Sequence, residues 1–136
     1  MSSVLRSIRL LALLLIMLPL PAASAQQGAS GRFLRFDPAV VQLGDLQAAQ
    51  DSVCVNFDFE NISEDEVTLA DVVAQCTCTK ARFRRESIPA GGKSSLSVTL
   101  YLKDLTGAQK RHLTVVSTNG ERYRYSTITI ICNVNR

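Results

Sequence analysis

The 136-residue sequence has few of the residues from which catalytic and cofactor-binding sites are built. It has one histidine, His112, and no serine or thiol lies at the spacing that a catalytic triad would need. No glycine-rich phosphate loop occurs, and no stretch keeps a helical period for three turns. We therefore predict a non-helical protein that is not an enzyme and needs no cofactor, with His112 as a surface side chain.

Long apolar runs are equally scarce, and the clearest one lies near the N-terminus. Arg6 and Arg9 lead into an apolar stretch over residues 10–18, and small residues at positions 23–25 form a cleavage pattern. A membrane-spanning helix needs roughly 20 apolar residues. We predict a signal peptide over residues 1–25, a periplasmic or extracellular location in a Gram-negative bacterium, and no membrane insertion after cleavage. No cysteine near the cut offers a thiol for lipid attachment.

Removing residues 1–25 changes the charge balance of the chain. The remaining 111 residues carry 13 Lys and Arg against 12 Asp and Glu, so the net charge gives no reason to expect nucleic acid or an anionic membrane as a partner. Residues 26–31 are rich in Gln, Gly and Ser, and we interpret them as a flexible lead-in. Residues 32–136 have the size of one domain.

Apolar residues recur at every second position within this domain. The alternation covers residues 53–59, 96–102, 113–117 and 128–134, which is typical of β-strands with one buried face. Asn119-Gly120 predicts a tight hairpin, because type I′ turns need φ > 0 at both central positions. Other turn signals bring the expected number to about seven strands. We predict an all-β, antiparallel immunoglobulin-like sandwich, with a small closed barrel as the alternative.

Six short motifs follow one another in a recognisable order. They are Leu43-Gly44, Phe57-Asp58-Phe59-Glu60-Asn61, Gln75-Cys76-Thr77-Cys78-Thr79, Ile88-Pro89-Ala90-Gly91, Ser117-Thr118-Asn119 and Ile130-Ile131-Cys132-Asn133-Val134. In this order the sequence resembles the bacterial domain-of-unknown-function 1573 family. The resemblance implies an immunoglobulin-like sandwich exported in Gram-negative bacteria, and it implies no established activity. The sequence departs from the family pattern at Leu43, Gln75, Thr77 and Cys132, where that pattern has an aromatic residue, serine, glycine and glycine.

Four cysteines form the main candidate site: Cys54, Cys76, Cys78 and Cys132. In an exported domain they indicate disulfides or a thiol cluster, and the immunoglobulin-like strand order would gather them at one pole. Because β-branched Thr77 prefers extended backbone, we expect it to hold the neighbouring sulfurs apart and favour at least one long-range bridge. Cys132 is alternatively a small buried hydrophobe. A soft-metal site and a redox-active Cys76-Thr77-Cys78 remain open as rivals.

Charged and aromatic residues elsewhere fit ordinary structural roles. Lys80, Arg82 and Arg84 alternate with uncharged residues, which predicts a strand with a charged solvent face rather than a nucleic-acid site. Tyr123 and Tyr125 share one face of the last hairpin and offer either a binding surface or cross-strand packing. We therefore expect an exported structural or interaction module that binds another envelope or extracellular protein. The alternative is a thiol-based metal-binding or redox protein.

Overall fold

The computed structural model describes residues 31–136. The signal peptide predicted over residues 1–25 and the lead-in up to residue 30 lie outside the described residues. No helix in the described part is long and apolar enough to cross a membrane.

Eight strands and one short 3-10 turn make up the domain. The strands are β1 (Leu34–Phe36), β2 (Val40–Gln47), β3 (Ser52–Asn61), β4 (Thr68–Ala74), β5 (Thr79–Arg82), β6 (Lys93–Tyr101), β7 (Gly107–Thr118) and β8 (Tyr123–Asn135), and the 3-10 turn is Ala48–Gln50. They form two four-stranded sheets. The first sheet has the order β1-β3-β6-β5 and the second has the order β2-β8-β7-β4. The predicted all-β sandwich is confirmed, with one strand more than the seven or so expected.

The hydrophobic core lies between the two sheets, and the period-two pattern supplies it. On β3 the buried apolar residues are Val55, Phe57 and Phe59, while the residues between them face solvent. The inward residues of β6, β7 and β8 follow the same rule, and their most buried apolar members are Leu96, Val98, Leu100, Leu113, Val115, Ile128, Ile130 and Val134. Each such side chain contributes about 1.5–3 kcal/mol by its removal from water. The core therefore follows directly from the alternation in the sequence.

One strand pair departs from the antiparallel prediction. β2 pairs with β8 in the parallel direction, with Val41 opposite Ile130 and Leu46 opposite Val134. The reason is that β1 and β2 are joined by only three residues, 37–39, so the chain passes from the first sheet to the second without reversing. A bulge between Gln42 and Gly44 adjusts the register of this pair.

The basic alternation that begins at Lys80 forms a shorter strand than its pattern predicts. β5 ends at Arg82, and the following residues leave the sheet before Ile88 makes an isolated bridge with Val67. Lys80 and Arg82 are exposed on the edge of the first sheet. Positive charge at this unpaired edge discourages pairing with another chain.

Candidate functional site

The turn between β4 and β5 carries a disulfide between Cys76 and Cys78, whose Cα atoms are 5.3 Å apart. The backbone N–H of Thr79 donates to the Cys76 carbonyl at 3.4 Å and closes the turn. The N–H of Tyr101 donates to the Cys78 carbonyl at 2.8 Å and attaches the turn to the end of β6. The motif thus lies in an anchored turn at the edge of the sandwich.

This local bridge corrects two expectations from the sequence. Thr77 was expected to hold the sulfurs apart, and a long-range bridge was favoured. Both expectations were wrong in this structure, because residues 75–78 form a turn rather than a continued strand and the two cysteines bond to each other. Cys54 and Cys132 are free. The propensity of Thr77 for extended backbone is therefore overridden by the reversal between β4 and β5.

The hydroxyl of Thr79 lies against both sulfurs of the bridge. Its Oγ1 atom is 3.5 Å from the Cys76 Sγ and 3.6 Å from the Cys78 Sγ. Since a disulfide sulfur has no hydrogen to give, the hydroxyl is the donor. Thr79 is 6% exposed, so the donor is held in place by its surroundings. Sequence pattern alone gives Thr79 no role of its own, although it directly follows the cysteine pair.

The two free cysteines lie on different faces of the sandwich. Cys54 is exposed on β3, on the outer side of the first sheet and opposite Thr99. Cys132 faces the core from β8, opposite Gly44 on one side and Gln109 on the other. Their side chains are separated by the core, which explains why they form no bridge. Cys132 is buried, in agreement with its interpretation as a small hydrophobe.

Burial also affects the chemistry of Cys132. Removal from water raises the pKa of its thiol above the ordinary value of 9.0, and the positive charge of Arg111 opposes part of that rise. The thiol is therefore a neutral core group at physiological pH. Within residues 31–136, no three His, Cys, Asp or Glu side chains converge in a way that could hold a metal ion.

The opposite end of the sandwich is organised by Asn61, which is completely buried. Its Nδ2 donates to the carbonyl oxygens of Asp65 at 2.8 Å, Ile88 at 2.9 Å and Pro89 at 3.2 Å. Its Oδ1 accepts from the backbone N–H of Ser63 at 3.0 Å and from the Ser63 hydroxyl at 2.7 Å. One side chain therefore joins the loop after β3 to the loop before β6.

Asn119 has a related role in the hairpin between β7 and β8. Its Oδ1 accepts from the backbone N–H groups of Glu121 at 3.1 Å and Arg122 at 2.9 Å. Its Nδ2 donates to the Asp65 carboxylate at 2.9 Å and links this hairpin to the loop after β3. The asparagines of two sequence motifs are thus structural residues at one end of the domain.

The outer faces of the two sheets differ in composition. On the first sheet, Arg35 pairs with Glu60 at 2.5 Å, and Lys93 lies opposite Glu60 on β6. Lys80 and Arg82 extend this charged surface to β5. This part of the outer face of the first sheet therefore carries charge of both signs.

The outer face of the second sheet carries Tyr, Thr and Val side chains around the middle of the sheet, with the exposed Asp71 opposite Val116 among them. We define the Tyr face as Val40, Val73, Tyr123 and Tyr125 together with Thr114 and Thr127 between them. Its Tyr and Val side chains are 50–62% exposed and are four of the six large apolar or aromatic side chains exposed in the described part of the chain. Strand pairing makes the face continuous, since Val73 lies opposite Thr114 and Thr114 opposite Thr127. His112 lies on the same side, half-buried, with its Nδ1 2.9 Å from the Thr129 hydroxyl.

Comparison with known protein families identifies the family of this chain. Residues 34–134 match the family described as "Protein of unknown function (DUF1573)". The chain belongs to the DUF1573 family. No curated protein matches the sequence.

Solved structures similar to this DUF1573 domain share its fold at low sequence identity. The Vibrio cholerae VesB protease matches with a TM-score of 0.62 and 13% identity over 75% of this chain and 32% of that one. The YadV chaperone matches with a TM-score of 0.57 and 11% identity over 77% of this chain and 53% of that one. The ASH/PapD-like domain 7 of human CEP192 matches with a TM-score of 0.58 and 8% identity over 87% and 99%. The chain thus spans about a third of VesB and about half of YadV, and the likenesses show an immunoglobulin-like, PapD-like fold.

The departures of this DUF1573 chain from the family pattern have structural explanations. Leu43 occupies the bulge in β2 and packs against the core in place of the aromatic residue. Cys132, in place of glycine, faces the core opposite Gly44. Thr77 is accommodated because the residues around it already form a turn. None of the three prevents the sandwich or the Cys76–Cys78 bridge.

Proposed function

We propose that this DUF1573 protein is exported and acts as a β-sandwich module that binds another protein of the envelope or extracellular space through its Tyr face. The observation that carries the proposal is the exposure of Tyr123, Tyr125, Val40 and Val73 on one side of the second sheet. Tyrosine is enriched at protein interfaces because it combines a large apolar ring with a hydroxyl that forms hydrogen bonds.

The contrast between the two outer faces supports the same assignment. A solvent-facing sheet normally carries charge, as the first sheet does with Arg35, Glu60 and Lys93. The Tyr face instead exposes Tyr123 and Tyr125 at successive outward positions of β8, with Val40 and Val73 on the two edge strands of the same sheet, and such exposed apolar side chains are typical of an interaction surface. Its cross-strand rows are Val73–Thr114–Thr127, Asp71–Val116–Tyr125 and Thr68–Thr118–Tyr123. Because Asp71 is the charged member of these rows, the partner should be a protein with a largely apolar surface and little negative charge. The shared fold of YadV, a chaperone, is in keeping with a binding role.

Site-specific photo-crosslinking in cells tests this assignment. A photoreactive amino acid replaces Val73 on the Tyr face in one strain and Lys80 on the charged face in another. We expect the probe at position 73 to capture an envelope or extracellular protein and the probe at position 80 to capture much less of it. Equal capture from both faces, or no adduct above background from position 73, would contradict the proposal.

A double variant on the Tyr face provides a second test of the same proposal. Tyr123→Ser with Tyr125→Ser should abolish the adduct at position 73, because it removes the two largest exposed rings. Lys80→Ser with Arg82→Ser is the matched control on the other sheet and should leave the adduct unchanged. Circular dichroism of both purified variants establishes that each still folds.

The proposal also requires export. Mass spectrometry of the periplasmic fraction checks it, and we expect the mature protein to start at Gln26.

A further inference from the structure

The Cys76–Cys78 bridge is poorly placed for a purely structural role. It encloses a single residue, Thr77, and joins two positions of one turn rather than two strands. A disulfide stabilises a fold mainly by restricting the unfolded chain, and this effect is smallest for the shortest loops. Both cysteines are only partly buried. The bridge is therefore accessible and adds little to the fold.

The two sulfurs differ in their surroundings. Cys76 lines a shallow surface depression whose other members include Gln75, Thr77 and Lys80. Cys78 instead packs against the hydrophobic core. An incoming thiolate can therefore approach Cys76 from solvent, while Cys78 is the sulfur that remains with the protein interior.

Thr79 is positioned to assist the breaking of the bond. Its buried hydroxyl lies 3.6 Å from the Cys78 Sγ and already donates toward the sulfur pair. When the bond breaks, the departing sulfur carries a negative charge. A hydrogen bond to that charge is stronger than one to a neutral disulfide, so the Thr79 hydroxyl stabilises the leaving group.

We propose that Cys76–Cys78 is a thiol–disulfide exchange site that accepts two electrons from a dithiol. A thiolate of the donor attacks the Cys76 Sγ, a bond forms between donor and Cys76, and the Cys76–Cys78 bond breaks. Cys78 departs as a thiolate and takes up a proton. The second donor thiol loses its proton and attacks the donor sulfur of the mixed disulfide, which releases Cys76 as a thiol. The donor ends as a disulfide and the protein as a dithiol, so two electrons and two protons have been transferred.

Redox titration of the purified protein tests whether the pair exchanges. A Cys54→Ser background removes the exposed free thiol, and dithiothreitol serves as the dithiol at a series of reduced-to-oxidised ratios. After rapid alkylation, mass spectrometry counts the free thiols. We expect Cys76 and Cys78 to become labelled together at ratios that leave the circular dichroism spectrum unchanged. A protein that contains no Cys76–Cys78 bridge as purified, or one whose bridge is reduced only when the fold is lost, would overturn the proposal.

Single-cysteine variants test the order of attack. Cys78→Ser leaves Cys76 as a free thiol, and Cys76→Ser leaves Cys78. Both are made in the Cys54→Ser background. We expect alkylation of Cys76 to be at least about five-fold faster, because Cys78 packs against the core. Equal rates, or a faster reaction at Cys78, would overturn the assigned order.

The role of Thr79 is tested with two substitutions at that position. Thr79→Val removes the hydroxyl at nearly the same volume, whereas Thr79→Ser keeps it. We expect Thr79→Val to slow reduction by dithiothreitol about five-fold, the loss that corresponds to one hydrogen bond, and Thr79→Ser to react close to the wild-type rate. Thermal unfolding of both variants shows whether the fold is intact. A wild-type rate in a folded Thr79→Val variant would remove Thr79 from the proposed mechanism.

Discussion

Asn61 holds together the end of the sandwich that lies opposite the turn with Cys76 and Cys78. Its amide donates to three carbonyl oxygens, and its carbonyl accepts from two groups of Ser63. Ser63, Asp65 and Pro89 lie in loops, and Ile88 lies in an isolated bridge with Val67, so Asn61 joins segments that no continuous strand ladder connects. The same amide nitrogen belongs to an Asn-Ile-Ser glycosylation pattern, yet it is fully buried and occupied by structural hydrogen bonds.

We predict that Asn61→Ala lowers the free energy of unfolding by about 2–4 kcal/mol, because it removes five hydrogen bonds made by one completely buried side chain. Asn56→Ala is the matched control on the same strand. Asn56 is exposed and accepts one hydrogen bond from Ser97 at 2.6 Å, so its loss should cost less than about 1 kcal/mol. Urea denaturation measures both values. A similar cost for the two variants would show that Asn61 does not have the role described.

Burial of the Cys132 thiol should make the stability of the fold depend on pH. In the folded state this thiol stays protonated at pH values above 9.0, its ordinary pKa, because burial raises the pKa. Above that pH the unfolded chain binds fewer protons than the folded one, so stability falls as pH rises from the ordinary pKa toward the raised one. Below it, both states are protonated and the thiol contributes no pH dependence.

The test compares wild type with Cys132→Val, which keeps an apolar core side chain of similar size. We expect the stability of wild type relative to the variant to decrease between pH 8 and pH 10, as measured by urea denaturation. Groups common to both proteins cancel in this difference. Parallel stability curves over that range would contradict the assignment.

At the scale of elements, the bulge in β2 explains why a glycine follows Leu43. Gly44 has φ of +68°, a conformation that L side chains rarely adopt. The register against β8 shifts at this point, so that Gly44 lies opposite Cys132. The bulge keeps Leu46 directed toward the core beside Val134.

We predict that Gly44→Val destabilises the domain by more than about 1 kcal/mol and that Gly44→Asn costs less, roughly half as much, because Asn tolerates positive φ better than a β-branched residue. A Cβ atom at position 44 would meet no atom within 4 Å beyond the two adjoining residues, so the cost comes from backbone conformation rather than from a clash. Thermal unfolding ranks the two variants. Equal losses would point to a cause other than φ.

The disulfide in the turn between β4 and β5 should contribute little to the free energy of unfolding. For so short a loop, the chain-entropy relation gives less than about 2 kcal/mol, whereas a native disulfide in a small secreted domain typically contributes about 2–5 kcal/mol. We therefore expect Cys76→Ser with Cys78→Ser to lose less than about 2 kcal/mol in urea denaturation. Wild type with the bridge reduced should lose a similar amount. A loss large enough to unfold the domain would assign the bridge a structural role instead.

At the scale of the whole molecule, both sheets share one core. Phe57 of the first sheet is completely buried, and so are Leu113 and Ile128 of the second. Because each sheet buries its inner face only against the other, neither has a separate core of its own. The domain should therefore unfold as a single cooperative unit.

We predict that Phe57→Ala destabilises the domain by about 3–5 kcal/mol and shifts the unfolding of both sheets together. Tyrosine fluorescence and far-ultraviolet circular dichroism should give coincident urea midpoints in wild type and in the variant. Val73→Ala, on an exposed position of β4, should change stability by less than about 0.5 kcal/mol. Two separate transitions in Phe57→Ala would show that the sheets are energetically independent.

The strands and their inward faces could be predicted from the sequence because they depend on local information. Alternation over residues 53–59 and 128–134 and the hairpin at Asn119-Gly120 each depend on a few neighbouring positions. The predicted type I′ geometry of that hairpin was wrong, because Gly120 has positive φ and Asn119 does not. The order of short motifs also identified the family correctly. The parallel pairing of β2 with β8 could not be predicted, because it depends on which sheet the chain enters after residue 39.

The candidate site, too, could be predicted only in part from the sequence. By itself, the sequence determined that four cysteines are available and that Cys76 and Cys78 are separated by one residue. Only the tertiary structure decided that those two pair, that Cys54 lies on the outer face of the first sheet while Cys132 faces the core, and that Thr79 contacts both sulfurs. Likewise, only strand pairing assembled Val40, Val73 and the two tyrosines into one face. The physical reason is that contacts between distant segments are set by sheet register and by the shared core, which no single stretch of sequence contains.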